Sequence, residues 1–328
     1  MNRRSLQLLA VIVAILAIAL FFVESGDNGA APDTGALLLP DFRRVANDVD
    51  SVTISRANSE PIVISKDGNV WKVAARSDYP ARADAVRTLL LAMADAKIVE
   101  VKTANPELYD KLGVNNPAAE SSKGVLVSAS TSSATFDVIF GLTAQTKYRY
   151  ARIADRDQSW MIDQNPDIPS TPGEWLEEDI IDVDASRVKA VTIRHPDGEI
   201  IRIEKLSEED TGFVVTDIPE GRELSYSTVA NGIGGALSDL TLDDVRSSVP
   251  VQDPITTEFE TFDGLTIVAE TTKADDAAWV SFTVSATSDD NENAGDINAR
   301  VTGWQFKIAD FKSNLLTRRW DDILKTQE

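Results

Sequence analysis

Two stretches far apart in the chain carry one pattern, and that repetition constrains the fold more than any other feature. Val49-Asp50-Ser51-Val52-Thr53-Ile54, followed by Pro61-Ile62-Val63-Ile64, recurs as Val188-Lys189-Ala190-Val191-Thr192-Ile193, followed by Ile200-Ile201-Arg202-Ile203, at a constant offset of 139. Ala85, Leu89, Met93, Asp95, Ile98 and Val101 then match Val229, Ile233, Leu237, Asp239, Leu242 and Val245 at an offset of 144, and Trp160 matches Trp304 at the same spacing, with Ile162 facing Phe306. Three separated blocks in one order predict two copies of a domain, over 41–180 and 181–328. Two copies are too few for a solenoid, so a pair of related lobes is expected.

Within each copy the local signals agree on α+β structure with mainly antiparallel sheet. Ser51 to Ser55 and Ile62 to Ser65 cluster β-branched residues, and Asp67-Gly68-Asn69 supplies a turn before Val70-Trp71-Lys72-Val73. The second copy repeats this with Pro196-Asp197-Gly198 as turn and Gly212 to Val215 as third strand. A helix is expected over about Arg82 to Ala96, with Val86, Leu89, Leu90 and Met93 at helical spacing, and its counterpart over Ser227 to Ser238. Further strands are expected over 125–129, 135–140, 148–153 and 159–162, then 258–262, 265–271, 279–286 and 303–308. The acidic, Asn-rich stretch Ser288 to Asp296 reads as a solvated loop. Asp310 to Lys325 reads as one closing amphipathic helix, with Phe311, Leu315, Leu316, Trp320, Ile323 and Leu324 on one face.

Ahead of the lobes, Leu6 to Val23 is an apolar run with one polar member, Gln7, directly behind Arg3 and Arg4. As a helix it would rise about 27 Å at roughly 1.5 Å per residue, close to bilayer thickness. Signal-peptide cores are shorter and end at small residues, whereas Glu24 follows this run, so a retained transmembrane anchor over 6–23 is expected. The basic flank puts residues 1–5 in the cytoplasm, with a tether over 24–40 and the bulk beyond the membrane. The expected location is the bacterial inner membrane, single-pass, bulk periplasmic.

A formal net charge of −21 repels nucleic acid and anionic headgroups, which excludes a phosphate-reading role. The chain has no cysteine, which removes lipoprotein acylation, thiol catalysis and cysteine-rich metal sites.

Each chemistry-bearing motif has a plainer explanation. His195, the one histidine, sits at a hairpin turn with no orienting partner in view, and the strained G-x-S-x-G turn of serine hydrolases is absent. Asp289-Asp290-Asn291-Glu292-Asn293 offers oxygen ligands for calcium but lacks the spaced order and distal Glu of a calcium loop. Together with Glu177-Glu178-Asp179 and Glu208-Glu209-Asp210 it reads as hydrated surface. Gly232-Ile233-Gly234-Gly235 fits no phosphate loop and aligns with a helix interior, where small residues permit close packing. Trp71, Trp160, Trp175, Trp279, Trp304 and Trp320 could stack on carbohydrate, yet the repeat places several at core positions. No catalytic, cofactor-binding or metal-ligating residue is assigned, and no enzyme activity or cofactor is expected.

The order of an anchor, a VDSVTI first strand, a DGNVWKV third strand, AKIVEVKTANPELYDKLGV after the helix, WMIDQNPDIPSTPGEWLEEDIIDVDASRVKAVTI in the middle and GWQFKIADFKSNLLTRRWDDIL at the end resembles the bacterial proteins grouped as domain of unknown function 4340. The resemblance covers the chain beyond the anchor. It implies single-anchor envelope proteins, many encoded beside an uncharacterised ABC-type transporter related to the gliding-motility auxiliary system, and supplies no catalytic residues. The expected role is an accessory or scaffold of such a transport system acting through protein–protein contacts, with membrane lipid around the N-terminal helix. The competing expectation is capture of a sugar or lipid between the lobes.

Overall fold

The structure is a computed structural model and describes residues 34–274, 277–287 and 292–326. Among these no helix is long and apolar enough to cross a membrane, and the expected anchor at Leu6–Val23 lies outside them. The architecture is mixed α and β, with two antiparallel nine-stranded sheets and short helices.

In chain order the first sheet comprises β1 (Ser51–Ser55), β2 (Ile62–Asp67), β3 (Val70–Val73), β4 (Tyr79–Pro80), β5 (Ile98–Val101), β6 (Val125–Ser130), β7 (Thr135–Ala144), β8 (Tyr148–Ile153) and β9 (Ser159–Ile162). The second comprises β10 (Asp179–Ile181), β11 (Val188–Arg194), β12 (Ile200–Glu204), β13 (Val214–Thr216), β14 (Leu240–Ser247), β15 (Ile255–Thr261), β16 (Leu265–Ala274), β17 (Ala277–Ala286) and β18 (Trp304–Ile308). Their spatial orders are β4-β3-β2-β1-β6-β7-β8-β9-β5 and β13-β12-β11-β15-β16-β17-β18-β14-β10. Apart from β4 on one sheet and β10 on the other, each strand has a counterpart at the same place.

The registers coincide residue by residue. In the first sheet Ile98, Glu100 and Val101 lie opposite Ile162, Met161 and Trp160, with a bulge after Ile98. In the second, Leu242, Asp244 and Val245 lie opposite Ile308, Lys307 and Phe306, with the bulge after Leu242. This corrects the sequence alignment by two residues: Trp160 corresponds to Phe306 and not to Trp304. The closing contacts also recur. Arg82 N–H donates to Trp175 O (2.8 Å) and Glu177 N–H to Pro80 O (3.0 Å), while Ser225 N–H donates to Ile323 O (2.9 Å) and Lys325 N–H to Glu223 O (2.8 Å).

By packing, the described residues up to Pro61 form one compact unit with Arg87–Ile168, and Ile62–Val86 form the other with the described residues from Pro169 on. Strand alternation explains the burial. In β1, Val52 and Ile54 point inward, and in β12, Ile201 and Ile203 do so. Fully buried Phe140 and Ile162 centre the first unit; Trp175, Phe259 and Phe306 centre the second. There Tyr79 meets the Trp304 ring edge-on at 5.0 Å, and desolvation pushes its phenol up to about 12.

Helices depart most from the sequence reading. In chain order they include α1 (Pro40–Val45), α2 (Ala83–Asp95), α3 (Tyr109–Leu112), α4 (Asn231–Gly234), α5 (Glu292–Val301), α6 (Asp310–Leu316) and α7 (Trp320–Ile323). The expected α2 is present, burying Leu89, Leu90 and Met93. Its counterpart shrinks to the four residues of α4, because three glycines in Gly232 to Gly235 each cost about 1 kcal/mol of helix propensity relative to alanine. Of the expected loop at Ser288 to Asp296, residues 288–291 lie outside the described residues and the rest belongs to α5, whose Ile297 and Val301 are buried one turn apart and whose Asn298 amide brackets Val284 N and O (3.2 and 2.7 Å).

The expected single helix over Asp310 to Lys325 is two. Arg319 is extended between them and caps α7 through its N–H to Asp322 Oδ2 (2.8 Å).

Candidate functional site

His195 is the residue whose chemistry most invites a functional role, and its surroundings are built by one hairpin and the C-terminal segment of the second unit. β11 ends at Arg194, and the turn closes with His195 N–H to Glu199 O (2.9 Å) and Gly198 N–H to His195 O (3.0 Å). Gly198 takes φ +93°, a conformation that disfavours any β-carbon. The ring is buried, and its Nε2 lies 3.0 Å from Arg318 O. A carbonyl oxygen only accepts, so Nε2 donates this bond, and Nδ1 is buried without a partner among the described residues.

Around the ring, Asp197 Oδ2 and Glu199 Oε2 accept from Arg319 Nη1 at 2.8 and 2.7 Å, and Glu199 Oε1 accepts from Trp320 N–H at 2.6 Å. Arg319, through its hydrogen bond first, holds the Asp197 carboxyl below the usual carboxylate range. This is a clamp on the last two helices. Among the described residues these bonds tie the hairpin turn to the backbone of Arg318 and Trp320 and to the Arg319 guanidinium.

The remaining motifs are also spent on structure. Glu177 and Glu178 flank the Pro80–Arg82 contact, where Glu178 lies 3.4 Å from Arg82. Asp210 accepts from Ser207 N–H at 2.8 Å and closes a turn. Asp289, Asp290 and Asn291 lie outside the described residues, and among the described residues no group of three or more His, Cys, Asp or Glu side chains could hold a metal.

At Gly234 a β-carbon would lie 2.1 Å from the Phe213 ring, so close packing is what this glycine provides. Trp71, Trp160 and Trp175 are buried, and Trp279 is covered by the Arg246 guanidinium at 4.0 Å. The six indoles therefore do not make one open stacking face.

Sequence reasoning missed a cavity of about 330 Å³ in the first unit, lined by Leu38, Phe42, Phe136, Asp137, Ile153 and Arg156 among others. Phe42 and Phe136 pack at 5.1 Å, and Asp137 Oδ1 is buried without a protein donor. No local signal could have found it, since its walls come from α1, β7 and the end of β8. Also missed was Arg152, a buried guanidinium bound only by the carbonyls of Val114, Ala154 and Arg156 and stacked 4.7 Å from the Tyr109 ring. The carbonyl dipoles and the aromatic face offset its desolvation.

The model of one protein family, described as Domain of unknown function (DUF4340), matches residues 71–260, more than half of the chain. No curated protein and no solved structure matches it.

Proposed function

The chain belongs to the family described as Domain of unknown function (DUF4340), and we propose on that premise that it is a membrane-anchored, extracytoplasmic accessory or scaffold of an ABC-type envelope transport system, acting through protein–protein contacts. The two sheets of one strand order are, on this reading, duplicated lobes over 41–180 and 181–328. What supports an interaction role is the use to which the reactive groups are put: His195 and Glu199 hold the backbone of Arg318 and Trp320, Asp197 and Glu199 pair with the Arg319 guanidinium, and sheet edge and acidic surface are left for recognition. The apolar run Leu6–Val23 behind Arg3 and Arg4 supports the membrane attachment.

A periplasm-active reporter fused after Glu328 tests the topology. Activity is expected with that reporter, and activity only with a cytoplasmic reporter refutes the arrangement. Crosslinking in intact cells tests the role: a chain lacking residues 1–26 is expected to lose its membrane partners. The competing reading, capture of a sugar or lipid, draws on the cavity at Phe42 and Phe136, and predicts ligand affinity that survives the same deletion.

A further inference from the structure

The two sheets treat one edge differently. In the second unit the outer side of β3 is covered by the chain itself: Asp78 N–H donates to Val73 O (3.2 Å) and Ala81 N–H to Trp71 O (2.7 Å), with β4 paired alongside. Trp71 and Val73 therefore turn their main-chain groups away from β2. Their counterparts are Phe213 and Val215, because Ile64 lies opposite Val73 as Ile203 lies opposite Val215. Phe213 N–H confirms the direction, since it donates away from β12 to Asn231 Oδ1 (3.0 Å).

Among the described residues no strand pairs on the outer side of β13, which ends the sheet. The bridge that follows β4, Ala81 to Leu176, recurs as Leu224 to Leu324, but no counterpart of β4 pairs with β13 ahead of it. Among the described residues no strand lies alongside Phe213 O and the main-chain groups of Val215, and both side chains are turned into the core. Unpaired edges of this kind template the addition of another strand.

We propose that the β13 edge, at Phe213 to Thr216, is a strand-addition site for an extended, basic segment of a partner protein whose apolar residues alternate with lysine or arginine. This rests on the interaction-module reading and gives it a location and a partner chemistry. Two observations set the occupant. Val214 is 51% exposed and Leu206 80% exposed, so apolar side chains stand on the solvent side of this corner for alternate residues of an incoming strand.

The flanking loops carry exposed Glu208, Glu209, Asp217, Glu220 and Glu223. The nearby cations are engaged: Lys325 pairs with Glu223 (2.6 Å), Arg222 donates to Lys325 O (3.2 Å), and Lys205, 4.9 Å from the Phe213 ring, donates to Ala185 O (2.7 Å). A second copy of the chain, with net charge −21 and the same acidic rim, is repelled from this edge, whereas a basic strand is attracted.

The test is amide hydrogen exchange of the full-length chain in mild detergent, with a capped peptide of alternating lysine and valine as probe. At a probe concentration well above Kd, exchange at the Val215 amide is expected to slow by at least about tenfold. The same peptide N-methylated at alternate amides, which cannot pair, should give no protection, and a glutamate–valine peptide should bind at least about tenfold more weakly at low salt. Val214→Lys, at an exposed position, should weaken the lysine–valine probe severalfold while leaving the thermal midpoint in place.

Unchanged exchange at 213–216, or equal protection by the N-methylated peptide, overturns strand addition. Protection that grows with protein concentration without any probe assigns the edge to a second copy and overturns the proposed occupant. A cytoplasmic reporter result would sink the membrane reading yet leave this protection intact, and lost protection would leave the topology intact, so the two failures are distinguishable.

Discussion

Replacing Gly234 by alanine sets helix propensity against packing in one residue, and the structure says which wins. A β-carbon there would lie 2.1 Å from Phe213 Cε2 and 2.4 Å from Cζ, against the roughly 3.5 to 4.0 Å of ordinary carbon contacts. The ring must move by more than an ångström, yet Phe213 is buried, tied through its N–H to Asn231 and faced by the Lys205 ammonium at 4.9 Å.

Overpacking of this kind costs about 1 to 3 kcal/mol, while removing a helical glycine returns at most about 1 kcal/mol. Gly234→Ala should therefore destabilise by about 1 to 2 kcal/mol. Gly295, in α5 with nothing within 4 Å of its would-be β-carbon, supplies the control: Gly295→Ala should stabilise by about 0.5 to 1 kcal/mol. Urea unfolding followed by tryptophan fluorescence measures both as midpoint shifts at constant slope. Adding Phe213→Leu to Gly234→Ala should recover part of the loss as a favourable coupling of about 1 kcal/mol. If both alanines stabilise equally, Gly234 is not a packing glycine and the account of the shortened α4 fails.

Glu174 Oε2 accepts four hydrogen bonds from the main chains and hydroxyls of Ser170 and Thr171 at 2.8 to 3.1 Å, and the Thr171 main-chain bond leads in holding its carboxyl below the usual value of 4.5. A depressed carboxyl stabilises the fold above its unfolded pKa and loses that contribution as pH falls through the lower folded value. Glu174→Gln should therefore flatten the acid limb of a stability–pH profile below about pH 4.5, and an unchanged limb would refute this. At the C-terminal clamp, Glu199→Gln weakens the hold on Arg319 and Trp320 by about 1 kcal/mol, so amide exchange over 318–325 should quicken roughly fivefold with little change in the global midpoint. Exchange that stays at the parent rate would remove Glu199 from the clamp.

The strands that were legible in the sequence are those whose information is local. β1 to β3 and β12 alternate inward and outward residues, β11 is a β-branched run buried on both faces over Ala190 to Ile193, turns such as Gly68-Asn69 separate such strands, and β7, β8, β16 and β17 are long enough to bury a continuous face. The end strands β4, β5 and β10 were not, although β13 at the other end of the second sheet was. β5 follows its helix after two residues, and β4 and β10 have two or three residues whose pairing is decided by distant partners.

Composition hid α5, since two buried apolar residues a turn apart are diluted by asparagine and acid. The break before α7 is imposed by Glu199, 121 residues from Trp320 in sequence, and no periodicity of the C-terminal segment records it. Of the candidate groups, His195 was correctly placed at a turn, but its bond to Arg318 O depends on that same long-range closure.

The matched bulges after Ile98 and Leu242 have a practical corollary. Turns between the strands differ in length, but the phase of this edge pairing is identical in both sheets, so the segments Ile98–Val101 and Leu242–Val245 meet their partner strands in one register. A chimera exchanging them should dock in either half without any change of phase, whereas deleting a single residue from either would turn an oily side chain out to water.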